Sequence, residues 1–358
     1  MSDYTEELKK RYTLRLRGYL AELPAFCGEY IRAIQDNTAI RTRIAYTFDL
    51  RLFFRFLTEQ RDNFKGKDIA GLTIDDLLKV SVDDIEAFMD FLSYYIKSDG
   101  ENVFEIQNAE EGKSRKLAAV KGLFAYFHKK RRLPANPSAL IEFPRLFEKA
   151  IIRLEVDEVA KLLDVVESGD KLTKHQQKYH NRTKLRDLAI FTLLLGTGIR
   201  LSECIGIDIS HIDFDVSGVK ITRKGGNEAI VYFGDEVGEA LMLYLEERLL
   251  ADAAPGHENA LFLSLQNKRI TDRAVQNLVK KYSKIITGLK NITPHKLRST
   301  FGTALYRETG DIYLVADVLG HSDVNTTRKH YAAIDENARR RAAKQVKLRK
   351  EGTLYNND

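Results

Sequence analysis

Residues able to act together on a phosphodiester crowd into one segment, TPHKLRSTFGTALYRETGDIYLVADVLGHSDVNTTRKHY, which runs from Thr293 to Tyr331. Thr293 is a favoured helix N-cap and Pro294 suits the first helical position, so a helix is expected to start here and run to about Arg307. His295 and Arg298 then share one face of its first turn. Exposed backbone N–H groups and the positive end of the helix dipole at that turn favour a nearby phosphate. The same field favours a neutral, proton-accepting imidazole at His295, while the Arg298 guanidinium offers a fork of donors to two phosphate oxygens. A phenol such as Tyr331 could attack phosphorus once its proton is taken. Singly, each residue has a plainer reading: His-x-x-Arg fits a solvated helix face, and a tyrosine fits half-buried packing. The combination is what suggests chemistry.

Several elements must position these groups. Leu314 to Leu319 reads as a short apolar helix ended by Gly320, with His321 directly after it. Ser322, Asp323 and Asn325 signal another short helix, on which Tyr331 follows the basic run Arg328, Lys329, His330. Upstream, Lys184 to Leu195 is nearly all apolar and reads as a buried helix, stopped by Gly196-Thr197-Gly198 so that the chain turns sharply and presents Arg200. Glu203 is placed to accept from that guanidinium and orient it. The pattern then changes to strands at His211–Phe214, Val219–Thr222 and Glu228–Phe233, with Gly225-Gly226 as a hairpin turn beside Lys224. Helices are expected at Asp235–Leu249 and Asp272–Ile286.

Taken together, these residues resemble the tyrosine recombinase (phage integrase) family, whose catalytic pattern in chain order is Arg, Lys, His-x-x-Arg, His or Trp, Tyr. LLLGTGIRLSE, Leu193 to Glu203, matches the family's first box and supplies Arg200. ITRKGGNEAIVYF supplies the hairpin Lys224. TPHKLRSTFGTAL, LGHS and the terminal tyrosine supply His295, Arg298, His321 and Tyr331. Within the family the pattern looks most similar to the Xer-type site-specific recombinases of the single-recombinase kind. The match extends from Leu154 to about Ile334 and is weaker over the N-terminal part.

The resemblance implies a mainly α fold with a small antiparallel sheet, in which a helical core-binding domain and an α+β catalytic domain form a C-shaped DNA clamp. It assigns 1–137 to the DNA-binding domain, 138–153 to a linker, 154–334 to the catalytic domain and 335–358 to a tail docking on a neighbouring protomer. Tyr331 would be the nucleophile that leaves a 3′-phosphotyrosyl intermediate, and strand exchange would pass through a Holliday junction. Arg200, Lys224, His295, Arg298 and His321 would be the other catalytic groups, with no metal or other cofactor required. The implied partners are double-stranded DNA with paired inverted half-sites and further copies of the chain, a dimer on one site and a tetramer in synapsis, together with a DNA translocase or accessory protein. Chromosome-dimer resolution and mobile-element integration or excision both fit. So do two other classes, a type IB topoisomerase and a non-catalytic DNA-binding relative.

Composition sets the outer bounds. A chain of 358 residues with 44% hydrophobic content has room for two domains. The N-terminus is charged from the start and no apolar run approaches membrane-spanning length, so a soluble, cytoplasmic protein without a membrane partner is expected. Cys27 and Cys204 match no metal spacing and are expected to be free, Cys204 as a small buried residue. The net charge of +6 suits a polyanionic partner. Arg41, Arg43 and Tyr46 on an expected helix over 38–60, and Arg115, Lys116 and Lys121 on another over 114–130, are the candidate DNA contacts. Residues 82–96 are expected to be helical and the polar stretch 97–112 a loop.

The assignment of Tyr331 gives the first prediction. Tyr331→Phe should keep DNA-site binding yet form no covalent adduct with a nicked suicide duplex on a denaturing gel. An adduct that persists would move the nucleophile to Tyr306 or Tyr313.

Overall fold

Apolar residues recurring at helical spacing dominate the chain, and the computed structural model is accordingly built of α-helices with two small antiparallel sheets. It describes residues 3–100, 102–146, 152–223, 226–288, 290–321 and 323–324. The chain divides into two units, Met1–Lys149 and Ala150–Asp358, with the division inside the proline-bearing stretch 138–153. Among the described residues no helix is long and apolar enough to cross a membrane.

The first unit contains α1 (Asp3–Leu20), α2 (Ala25–Ala33), α3 (Ile40–Gln60), α4 (Ile74–Leu77), α5 (Val82–Phe91), β1 (Tyr95–Asp99), β2 (Asn102–Ile106) and α6 (Glu110–Lys129). Leu50, Phe53, Phe54 and Leu57 of α3 and Leu117, Val120, Phe124 and Phe127 of α6 are buried in one core. Each set repeats at intervals of three or four, the spacing that keeps one helix face inward. Phe53 anchors the cluster, with ring centroids 5.1 Å from Phe88 and 6.4 Å from Phe124. Ser81 caps α5 by accepting from the Asp84 N–H at 3.1 Å.

Two expectations are corrected here. The helix begun at Val82 stops at Phe91 rather than running to Ile96, and residues 97–112 are not a loop. Instead β1 pairs antiparallel with β2, from Tyr95 opposite Ile106 to Asp99 opposite Asn102, and α6 starts at Glu110. Gly100, at φ +61°, makes the tight turn. The charged residues in KSDGENVFEI mask a strand signal that Ile96, Val103, Phe104 and Ile106 carry.

The second unit contains α7 (Val156–Ser168), α8 (Lys174–His180), α9 (Lys184–Thr197), α10 (Leu201–Ile205), β3 (Ile212–Asp213), β4 (Gly218–Thr222), β5 (Glu228–Tyr232), α11 (Asp235–Leu249), α12 (Asp272–Ile286), α13 (Pro294–Thr309) and α14 (Ile312–Leu319). The strands form a meander in the order β3-β4-β5. Helix α9 is the hub: Ala189, Ile190, Phe191, Leu193 and Leu194 are almost wholly buried, packed among residues of α7, α11 and α12. Burial of each large side chain contributes roughly 1.5–3 kcal/mol. At the start of α9 the wholly buried Asp187 accepts from Arg186 Nε at 3.0 Å, Thr183 Oγ1 at 3.1 Å and Tyr282 Oη at 3.1 Å. The buried carboxylate is thus paired and hydrogen-bonded, the condition for tolerating its desolvation. His180 lies 3.1 Å from the same Tyr282 hydroxyl through Nδ1, and burial lowers its proton affinity. Helix α8, not anticipated from the sequence, carries a capping box of Thr173 and Gln176.

The turn after α9 is closely packed. Gly198 closes the helix at φ +62°, and a Cβ there would overlap the Phe301 ring of α13 and lie 2.9 Å from Leu319 Cδ2 of α14. Both the left-handed backbone and the missing side chain are therefore required. Gly198→Ala should destabilise the second unit by about 2–5 kcal/mol, from backbone strain plus overpacking. Denaturant-dependent hydrogen exchange of the α9 core amides in the full chain measures this. A loss below about 0.5 kcal/mol, the usual range for an unconstrained site, would contradict the packing argument.

Candidate active site

The end of α14 is where the candidate residues converge. Gly320 sits in the left-handed region at φ 62°, ψ 48°. Its N–H donates to Asp317 O at 2.8 Å, and the His321 N–H donates back to Ala316 O at 2.9 Å. This is the Schellman closure, and it fixes where His321 leaves the helix. Closure still leaves carbonyls pointing outward at the negative end of the helix dipole.

Arginines occupy them. Arg298, 5% exposed on the first turn of α13, donates through NH2 to Leu319 O and through NH1 to Gly198 O at 2.7 Å. It thereby bridges the turn after α9 to the end of α14. Arg200, the N-cap of α10, donates through NH2 to Gly320 O at 3.1 Å and through NH1 to Glu203 Oε1 at 2.9 Å. The other Glu203 oxygen accepts from the Arg200 backbone N–H at 2.7 Å. Glu203 itself is buried, so a single carboxylate fixes both the backbone and the guanidinium of Arg200, which stays about one-third exposed. Two guanidiniums thus sit on successive carbonyls, Leu319 O and Gly320 O, immediately before His321.

His295 is exposed one turn before Arg298 on the same face of α13. The helix bearing both is pinned from the side of α7: Thr300 Oγ1 accepts from the Leu154 N–H at 3.0 Å, and Arg307 NH1 donates to Glu155 Oε2 at 2.9 Å. The structure therefore brings together Arg200, Glu203, Arg298 and His321, with His295 on the adjoining turn. Lys224 and Tyr331 lie outside the described residues, as do Ser322, the helix expected to carry Tyr331 and the tail 335–358. Cys204 is wholly buried beside Glu203, where burial raises its proton affinity far above that of a reactive thiol.

The six candidate DNA contacts of the first unit divide into two kinds. Arg41 is exposed on the first turn of α3, with Nε 2.9 Å from Tyr12 Oη and the guanidinium over the Tyr12 ring. Arg43 and Tyr46 are half-buried nearby, and Arg43 Nε is buried with no hydrogen-bond partner among the described residues. Arg115 remains partly exposed while pairing with the buried Asp49. Burial drives the Asp49 carboxyl up to about 6 against the opposing pull of Arg115 and Lys116. Lys116 is 8% exposed and its Nζ donates to Asn108 Oδ1 at 2.7 Å. Lys121 Nζ donates to Ser138 O at 2.8 Å and Ile141 O at 2.6 Å. Those two lysines therefore brace the unit internally, which their sequence spacing does not reveal.

One residue absent from the sequence reading also reaches the end of α14. Arg223, the last described residue before Lys224, donates through NH2 to Val318 O at 3.2 Å and through NH1 to Asp317 O at 3.4 Å. The charged tip of the hairpin was legible, but its partner 95 residues away was not.

The model of the phage integrase family matches residues 153–338. Tyrosine recombinase XerC of Chlorobaculum tepidum is 31% identical over 84% of this chain and 88% of its own length. Its namesake from Caldanaerobacter subterraneus subsp. tengcongensis is 32% identical over 86% of this chain and 82% of its own. Among solved structures, the Tn1549 transposon integrase in complex with circular intermediate DNA has a TM-score of 0.61 at 21% identity, covering 89% of this chain and 99% of that one. The XerH site-specific recombinase bound to difH substrate has a TM-score of 0.60 at 18% identity, covering 87% and 83%. These two structures are alike in fold.

Proposed function

The chain belongs to the phage integrase family and is a tyrosine-type site-specific DNA recombinase, and from that premise we propose how its residues cut and rejoin DNA. The observation that carries the proposal is the pair of guanidiniums, Arg200 and Arg298, anchored on Gly320 O and Leu319 O directly before His321. A phosphodiester under attack gathers charge on two non-bridging oxygens. Arg200 and Arg298 each hold one of them through charge-assisted bonds of roughly 1.5–3 kcal/mol, and their carbonyl anchors fix the donors before substrate arrives. His321 donates to a phosphate oxygen beside them.

At neutral pH only about one phenol in a thousand is ionised, so Tyr331 needs a proton acceptor. His295 takes the phenolic proton, the Tyr331 oxygen forms its bond to phosphorus, and the bond from phosphorus to O5′ breaks. The departing alkoxide is a poor leaving group and takes a proton from Lys224. The products are a 3′-phosphotyrosyl bond and a free 5′-hydroxyl. Because the ester's free energy is retained, the 5′-hydroxyl of another strand reverses the same steps and seals the exchange. No cofactor is invoked in this sequence.

DNA contact by the first unit falls in this proposal to Arg41, Arg43, Tyr46 and Arg115, with residues 138–153 as linker and 335–358 as a segment docking on a neighbouring protomer in a tetramer of two duplex sites. Chromosome-dimer resolution and excision of a mobile element are the two settings considered, and the sequence of the DNA target separates them. The test is to recover the DNA covalently attached to the protein in its host, sequence it, and incubate the protein with two differently labelled duplexes carrying that site. Recombinant duplexes joining the two labels are expected. Loss of supercoils without joint products would instead assign the relaxation activity of a type IB topoisomerase.

A further inference from the structure

We propose that Arg223 is a positioning residue for leaving-group protonation, tying the chain that leads into Lys224 to the end of α14. The inference rests on the reading of Lys224 as the proton donor. Arg223 directly follows β4 and is tied into the hairpin by its backbone: its N–H donates to Asn227 O at 2.7 Å, and the Gly226 N–H donates to its carbonyl at 3.0 Å. Its side chain leaves the hairpin altogether. The two terminal nitrogens reach Val318 O at 3.2 Å and Asp317 O at 3.4 Å. The guanidinium therefore lies across the same helix end that Arg298 and Arg200 occupy one and two residues further on.

Space for it is reserved by Gly320, where a Cβ would overlap the Arg223 guanidinium, so this glycine serves both the left-handed turn and the close approach. A cation is favoured at a helix C-terminus, and a planar guanidinium presents its two terminal nitrogens to neighbouring carbonyls in a fixed geometry that the compact ammonium of lysine does not reproduce. Strand pairing, whose last pair is Thr222 with Glu228, and the Arg223–Asn227 bond shape the hairpin internally, while the Arg223 side chain ties it to α14. Lys224 is the next residue along the chain from Arg223. Tying Arg223 to the end of α14 thus anchors the chain that leads into Lys224 to the same helix end that holds the phosphate-binding arginines. A misplacement of about 1 Å is enough to cost roughly a hundredfold in rate.

A structural tether and a tether for protonation differ in their response to the leaving group, because a thiolate departs without a proton. The experiment measures single-turnover cleavage by the full-length protein of a nicked suicide duplex carrying its recovered site, with oxygen or sulfur at the 5′-bridging position. Arg223→Ala and Arg223→Lys are compared with Lys224→Ala. Both Arg223 variants should cleave the oxygen substrate about 10- to 100-fold more slowly than the unaltered protein, a partial loss of the roughly 100- to 10,000-fold that general acid catalysis contributes. Like Lys224→Ala, they should return to within about threefold of the unaltered protein on the sulfur substrate, where that contribution is not needed. Half-site affinity should not change. If Lys224→Ala is rescued but the Arg223 variants are equally slow on both substrates, Arg223 acts on the fold or on phosphate binding and the proposal fails. It fails too if both Arg223 variants cleave the oxygen substrate at the unaltered rate. If Lys224→Ala is itself not rescued, the proton-donor reading fails first. Should Arg223→Ala not fold, Arg223→Lys keeps the charge, loses the planar fork and decides the question alone.

Discussion

Exposed carbonyls at the end of an eight-residue helix set the geometry of this site. Every α-helix ends with backbone oxygens that its own N–H groups cannot reach. In α14 the Schellman closure through Gly320 and His321 takes up two of these demands, and arginines supply the remainder. The three guanidiniums come from three different parts of the second unit: the turn after α9, the end of β4, and the first turn of α13. One short helix end thereby becomes the common reference for elements more than 100 residues apart in sequence.

Gathering positive charge in this way is costly in isolation, and the surroundings offset the cost. Arg298 is almost wholly buried, where an unpaired guanidinium would not be tolerated, but it bonds carbonyls at both the α9 turn and the α14 end. Arg200 is neutralised by Glu203 and yet keeps a third of its side chain in contact with solvent. The helix dipole adds a favourable field at the same point. Charge that has already been assembled and oriented is what a transferring phosphoryl group needs, since no reorganisation remains to be done when the transition state forms.

Much of this could be read from residues alone, and the exceptions have physical reasons. The stops at Gly198 and Gly320, the helix start at Thr293 and Pro294, and the helices 235–249 and 272–286 are local signals, and they appear where local signals place them. The pairing of Arg200 with Glu203 follows from a spacing of three. What could not be read depends on distant partners. Lys116 and Lys121 read as DNA contacts on a basic stripe, and the sequence does not show that Asn108 and the carbonyls of Ser138 and Ile141 accept from them. Arg223 looks like an ordinary hairpin charge until α14 folds beside it. The hairpin β1–β2 was hidden by its own polarity, because charged residues between Ile96 and Ile106 interrupt the apolar alternation that marks a strand.

The central claim is that guanidiniums hold the end of α14 in place, and backbone hydrogen exchange at Gly320 and His321 tests it most directly. Both amides are protected by the Schellman bonds to Asp317 O and Ala316 O. Exchange should be compared in the unaltered chain and in Arg200→Ala, Arg223→Ala and Arg298→Ala, with the core amides of α7 and α12 as internal reference. Each substitution should speed exchange at residues 320 and 321 by roughly tenfold or more, as expected for loss of a charged hydrogen bond, with the reference amides slowed or hastened far less. Unchanged protection at those two amides, or a uniform rise across the whole second unit, would contradict the account.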